Sequence, residues 1–348
     1  MANQRGIRRS AVQRLRDLFP RASAWDEAQD VQAGAQRVDI VVRFQIGGDT
    51  KTFAIAVASQ GQPRQVREVV SRLEVVRRAM PEAYPVAVAD YVSPQSAALL
   101  RGAGMGYLDL SGNCHLSFDN VLIDREGRPN LRPSTRPLKS LFAPRATRVA
   151  RVLLVDPQHA WRLEELAKAA DVSLGHSHNV IKRLEELSWV ERGEDQRMRL
   201  VRPGELLDAW VEEYSYRRNE VASFISPERV TRRLAGELVR VAEAEGRRVA
   251  FTMHAGAALV APQTRMPVLH CYVDGPVEPV ARALGLQPAE GEGHVHLLLP
   301  YDAGVFYAPF VKGGLPVVCL PQLYADLYHY ERRGRAQASH LRHEAMGY

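Results

Sequence analysis

Within eleven residues, Ser173 to Arg183, the chain gathers side chains suited to reading a polar surface: Ser173, His176, Ser177, His178, Asn179, Lys182 and Arg183. Val180, Ile181, Leu184 and Leu187 are interleaved at three- and four-residue steps. On a helix, that spacing gives one apolar face and one face of donors. Asn179 suits the edge of adenine, while Lys182 and Arg183 suit guanine or phosphate oxygens. Farther on, WVERGEDQRMRLV reads as a hairpin whose turn is Gly193–Gln196 and whose return strand carries Arg197 and Arg199. Cations placed there meet phosphate or the minor groove. Upstream, no Asp or Glu occurs between Gly127 and Val155, whereas Arg128, Arg132, Arg136, Lys139, Arg145, Arg148 and Arg151 do. The chain's formal net charge is +6, so this segment alone matches the surplus. A local field of this kind attracts polyanions, and DNA is the commonest.

Other constellations point to less. His294 and His296 alternate on a strand, and His340 and His343 sit three apart on a helix, but neither pair has an evident third ligand for zinc. Cys114, Cys271 and Cys319 are far apart and outside any CxxC spacing, which argues for a reducing compartment and buried inert thiols. No Ser-His-Asp or Cys-His frame is recognisable. Tyr324, Tyr328 and Tyr330 read as core or interface residues. The basic, polar start MANQRGIRRS does not resemble a signal peptide, and no run of about 18 apolar residues occurs. The expectation is a cytoplasmic, nucleoid-associated protein with no membrane partner.

The elements that would position these residues follow from periodicity. A basic helix at 8–18 precedes strands at 37–46 and 51–59, joined by a Gly-Gly-Asp turn. A helix at 64–80 shows Val66, Val69, Val70, Leu73 and Val76 on one face. A strand at 84–92, a short helix opened by Ser93 and Pro94, and three short strands complete a mixed domain. GRPNLRPSTRPLKS (127–140), with three prolines, reads as a linker. Leu163, Leu166, Ala167 and Ala170 mark a helix, Val172 plugs a turn, and Ser173 caps the donor-bearing helix. A helical connector is expected at 204–219, a long helix near 227–246, strands at 248–253, 267–273, 294–299 and 303–307, and helix after Pro321.

With these motifs in view, the chain resembles the AbiEi-like family of bacterial transcriptional regulators, the antitoxin side of type IV toxin–antitoxin systems. The similarity spans most of the chain and is strongest at GMGYLDLSGNCHLSFDNVLIDREGRPN (104–130) and RVARVLLVDPQHAWRLEELAKAADVSLGHSHNVIKRL (148–184). It implies a winged helix that binds operator DNA and represses neighbouring genes, and a cognate toxin neutralised without a stable complex.

The N-terminal region also resembles a PD-(D/E)xK nuclease core. Asp39 in RVDIVV takes the first acidic position, and the next strand reads Ile55-Ala56-Val57-Ala58-Ser59-Gln60 where related sequences read V-E-V-K-S. Ala56 and Ala58 thus replace the Glu-x-Lys pair, and methyl groups neither ligate Mg²⁺ nor move a proton. Either the fold is naturally inactive or the pair was replaced in this chain. Gln60 and Arg64 face nucleic acid or solvent equally well. The C-terminal third is similar to a nucleotidyltransferase fold, but its candidate strand VLHCYVDG holds the lone Asp274.

These readings give an α/β (α+β) multidomain protein: a restriction-endonuclease-like domain at 1–126, a basic linker at 127–144, a winged helix-turn-helix with connector at 145–219, and a degenerate nucleotidyltransferase-like domain at 220–348. The expected function is sequence-specific binding of double-stranded DNA for transcriptional regulation, without catalysis and without a cofactor, Mg²⁺ being needed only if the nuclease motif were intact. The DNA-facing set is Ser173, His176, Ser177, His178, Asn179, Lys182, Arg183, Arg197, Arg199, Arg145 and Arg148. Paired half-sites would call for a homodimer. A DNA-processing nuclease stripped of its active residues and a protein-binding adaptor stay open as alternatives.

Overall fold

The computed structural model describes residues 2–58, 61–131, 141–227, 232–261, 268–291, 293–331 and 333–348. The chain divides into two compact units, Met1–Pro137 with Glu186–Ser188, and Leu138–Glu185 with Trp189–Tyr348.

The first unit runs α1 (Ala2–Leu18), β1 (Ser23–Ala33), β2 (Gln36–Ile46), β3 (Asp49–Val57), α2 (Pro63–Ala79), β4 (Ala83–Ala89), α3 (Pro94–Gly102), β5 (Gly106–Asp109), β6 (Cys114–Phe118) and β7 (Val121–Arg125). Its strands form one sheet in sequence order, parallel at β3–β4–β5 and antiparallel elsewhere. Gly47 and Gly48, both at positive φ, turn β2 into β3 as the hairpin signal requires. The sequence of β3 alternates large and small. Phe53, Ile55 and Val57 meet Ile7, Ala11 and Leu15 of α1 on one face. On the other, Ala54 joins the cluster of Val76, while Ala56 and Ala58 join that of Val66, Val69 and Leu73, all from α2. Strand β4 continues the pattern, with Val86 and Val88 toward α1 and Ala87 and Ala89 toward α2. Large residues fill the space under α1, and small ones let α2 lie close. β1 had no expectation: SAWDEAQDVQA is mostly exposed and lacks an alternating apolar face.

The second unit begins with α4 (Pro144–Val155), α5 (Leu163–Ala169), α6 (Leu174–Glu186) and the antiparallel pair β8 (Val190–Arg192) and β9 (Met198–Leu200). There follow α7 (Pro203–Glu213), a 3-10 turn Tyr216–Arg218, β10 (Glu220–Ile225), α8 (Arg232–Ala244), β11 (Val249–Phe251), α9 (Met253–Val260), β12 (Leu269–Val273), α10 (Glu278–Ala283), β13 (Gln287–Pro288) and β14 (Val295–Leu299). A 3-10 turn Ala303–Phe306, β15 (Phe310–Lys312), β16 (Leu315–Val317), α11 (Leu320–Tyr328), α12 (Gly334–Leu341) and a π-helical turn Arg342–Met346 complete it. The large sheet has the order β13-β10-β14-β12-β11-β16-β15. One face carries a core of Phe224, Leu269, Cys271, Val273, Val295 and Leu297 against Leu234 and Leu238 of α8 and Val280 of α10.

One expectation needs correction. Residues 303–306 are helical rather than a strand, because the Asp302 carboxylate accepts from Gly304 N–H at 2.8 Å and caps a tight turn. β10 lies between the connector expected at 204–219 and the helix expected near 227–246, where no element was expected; its alternation is Val221, Ser223 and Ile225 against Ala222 and Phe224. The long helix expected from 227 includes residues 228–231, which are outside the described residues. So are 132–140 of the basic segment, with Arg132, Arg136 and Lys139. No described helix is long and apolar enough to cross a membrane.

Candidate nucleic-acid interface

Helix α5 opens with the Glu165 carboxylate accepting from Arg162 N–H at 3.0 Å, a bond that holds this carboxyl below its ordinary range. It closes through a left-handed Asp171, φ 50°, whose N–H reaches Lys168 O at 3.2 Å while Val172 N–H reaches Ala167 O at 3.1 Å. This is the Schellman closure with aspartate in glycine's usual place, a residue that tolerates that backbone. The side chain of Ser173 then accepts from His176 N–H at 3.2 Å and caps α6. Leu166, Ala167, Ala170, Val180, Ile181 and Leu184 are buried, as are Trp189, Val190, Met198 and Leu200 from the hairpin. Trp161 adds a bridge to Met198, with N–H···O bonds of 2.9 and 2.8 Å, so the hairpin gains a third, single-residue strand.

The outward side of α6 presents Ser173, His178, Asn179 and Lys182 as exposed, and His176 and Arg183 as partly exposed. The first-turn N–H groups and the helix dipole add positive potential at the same end. Ser177 does not belong to this face. It is 0% exposed, because 177, 181 and 184 form one stripe of the helix and that stripe is the apolar one. Grouping residues by chemistry alone ignored the helical phase.

The arginines divide sharply. Arg145 is exposed in the first turn of α4, and Arg199 is exposed on β9. Arg148 is not available for phosphate. Its Nε donates to Asp302 at 2.9 and 3.1 Å, and its Nη1 donates to the Asp171 carboxylate at 2.6 Å and the Asp171 carbonyl at 3.0 Å. These bonds raise its pKa further, the hydrogen bond to Asp302 most. Arg197 turns inward and donates to Ala160 O at 2.8 Å, with Asp195 and Glu165 within 4 Å. Arg192, which the sequence reading passed over, is exposed and donates to Glu185 at 3.1 Å. The hairpin tip itself is acidic, with Glu194 and Asp195 exposed. Donor-rich chemistry is therefore concentrated on α6 and Arg199, away from the hairpin tip.

In the first unit, Asp39 is fully engaged. It accepts from Val57 N–H at 2.8 Å, from Arg8 of α1 at 2.5 Å and from Arg72 of α2 at 2.8 Å. Arg8 keeps a raised pKa: burial works against its charge, and Asp39 and Asp30 outweigh burial. Two guanidinium groups on one carboxylate supply the charge that a divalent cation would supply. Ala56 and Ala58, at 0% and 5% exposure, pack under α2. Gln60 lies outside the described residues. Arg64 is exposed beside Glu68, 3.9 Å away. A second buried carboxylate, Asp109, accepts from Gly112, Asn113 and Val92 N–H and from the Asn113 side chain, and so builds the turn after β5.

The remaining candidates occupy structural positions. His294 accepts from Ser226 N–H at 3.1 Å, and His296 meets Ser223 Oγ at 2.9 Å. His340 is on α12, and His343 lies 3.9 Å from Glu344. Among the described residues no group of three or more His, Cys, Asp or Glu has the geometry to hold a metal ion. All three cysteines are buried, and burial pushes the Cys319 thiol up to about 11. Asp274 pairs with Arg248 at 2.7 Å. Tyr324 is buried, Tyr328 donates to Glu212 at 3.3 Å, and Tyr330 packs on His254 and His270.

The second unit thus joins three helices and a hairpin to a mixed-sheet domain. Residues 199–346 match the protein family described as "Transcriptional regulator, AbiEi antitoxin, Type IV TA system", a span of 148 residues in a chain of 348. The match supports the AbiEi-like resemblance over that span. It lies C-terminal to 104–130 and 148–184, the two segments in which the resemblance looked strongest. No curated protein and no solved structure matches the chain.

Proposed function

We propose that this chain is a sequence-specific double-stranded DNA-binding transcriptional regulator of the AbiEi antitoxin type, in which α4–α6 and the β8–β9 hairpin act as a winged helix-turn-helix. One observation carries this reading: α6 exposes His178, Asn179 and Lys182, and its cap Ser173, over a buried apolar stripe. A helix of this width enters the major groove with those residues toward base edges. The family matched by residues 199–346 is one of transcriptional regulators and antitoxins, which favours regulation over other uses of such a helix. The proposed contacts are Asn179 and His178 to bases, and Lys182, Arg199 and Arg145 to phosphates.

The wider reading keeps a restriction-endonuclease-like domain at 1–126, a DNA-reading domain at 145–219 and a degenerate nucleotidyltransferase-like domain at 220–348. It also keeps a cytoplasmic homodimer on paired half-sites and a cognate toxin met without a stable complex. The environment of Asp39 weighs against the rival nuclease reading, since that carboxylate is already met by Arg8, Arg72 and Val57 N–H. Footprinting on the DNA upstream of its own gene tests the proposal. A discrete protected site that Asn179→Ala with Lys182→Ala abolishes supports it; uniform or absent protection overturns it.

A further inference from the structure

Helix α4 touches α5 and β9 of the three-helix segment and also α7, α11 and the Ala303–Phe306 turn. Along one stripe, at three-residue steps, it offers Arg148, Arg151 and the Leu154 carbonyl to the rest of the unit. Arg148 binds Asp302; Arg151, 2% exposed, donates to Gln322 Oε1 at 3.2 and 2.8 Å; Leu154 O accepts from the Tyr348 hydroxyl at 2.7 Å. Gln322 in turn donates to the buried Asp326 at 2.9 Å. Arg148 also looks the other way, since its Nη1 holds both the carboxylate and the carbonyl of Asp171. Asp171 is the left-handed residue that sets the angle between α5 and α6. A single guanidinium therefore bridges the mixed-sheet domain and the turn from which α6 departs.

We propose that Asp302 is a positioning residue for DNA recognition: through Arg148 it fixes the turn at Asp171 and hence the aim of α6. The inference rests on the DNA-binding reading above for its functional consequence, and on the bonds of Arg148 for its structural one. Gly304 belongs to the device. A Cβ there would stand 2.6 Å from Arg151 Nη1, 2.8 Å from Arg148 Cγ and 2.6 Å from Asp302 Oδ1, so only glycine leaves both arginines in place. Asp302 can act at a distance because one guanidinium serves two acidic partners, and weakening its hold on Asp302 frees the Arg148–Asp171 pair to shift together.

The test uses the full chain with Asp302→Asn, Asp171→Asn and the double variant. Asparagine at 302 keeps the oxygen that caps Gly304 and meets Arg148 Nε at 2.9 Å, but it replaces the second acceptor, 3.1 Å from Nε, with an amide N–H and removes the charge. Asparagine at 171 tolerates the left-handed backbone. Hydrogen exchange read without DNA is expected to show faster exchange at 171–178 in Asp302→Asn. The double variant should exchange no faster than either single variant, because both act through Arg148. Preference for the upstream site over scrambled DNA should fall roughly two- to thirtyfold, the range of such indirect couplings, at an unchanged salt slope. Exchange altered only at 303–307, additive effects, or an unchanged preference overturns the proposal. So does tighter binding with a salt slope steeper by about one, which would make Arg148 a phosphate contact restrained by its acids. If the wild-type chain shows no DNA preference, the DNA-binding reading fails, and the exchange comparison alone decides this one.

Discussion

Asp39 and Asp326 show how differently a carboxylate can be kept inside a protein. Asp39 is met by two guanidinium groups and a backbone N–H, and its neighbours Ala56 and Ala58 are core residues beneath α2. Ala56→Glu with Ala58→Lys would put two charges into that core, where each costs several kcal/mol unless it is paired. The expected outcome is a lower Tm and no Mg²⁺-dependent cutting; a folded double variant that cleaves DNA would contradict the packing account. Among the described residues, no cation is bonded to Asp326. It accepts from Thr252, Tyr214, Tyr272 and Gln322, and burial still pushes its pKa above the ordinary carboxylate value. A carboxyl with a raised folded pKa contributes its full stability below about pH 3.9 and loses it as pH rises through the folded value. The stability of wild type relative to Asp326→Asn should therefore decline from about pH 4 upward, measured by urea unfolding across pH. A flat difference would contradict the assignment.

At the scale of elements, the acidic tip between β8 and β9 separates two ways of holding DNA. If α6 leads and repulsion by phosphate holds the tip off the duplex, Glu194→Gln with Asp195→Asn should strengthen binding to random DNA. Unchanged random binding would mean that the tip lies far from any DNA path. Helices and strands with strong periodicity were legible in the sequence: α2, β2, β3, the Ser93 cap of α3 and the α5–α6 pair all stand where their patterns place them. β1 was not, because an exposed strand carries no apolar alternation, and residues 303–306 were not, because a single aspartate cap overrides the local strand pattern. In the candidate interface, Asn179 and Lys182 could be read from residue type. The burial of Ser177 needed the helix phase, and the capture of Arg148 needed a partner 154 residues away. Arg151 left only one local trace, a charge set among Val149, Ala150, Val152 and Leu153.

Across the whole molecule, the helix proposed to read DNA is one face of a larger unit. The stripe Arg148–Arg151–Leu154 makes α4 common to the three-helix segment and the mixed-sheet domain. Changes in the matched region 199–346 should therefore be felt at α6 even when they touch no DNA. The central claim is sequence-specific DNA binding through α6, and it is met most directly by measuring affinity for the chain's own upstream DNA and for a scrambled duplex over a salt series. The account predicts a preference of roughly a thousandfold or more for the upstream DNA, with Lys182→Ala weakening both and flattening the salt slope by about one. Equal affinity for the two duplexes, unaffected by Asn179→Ala and Lys182→Ala, would contradict it.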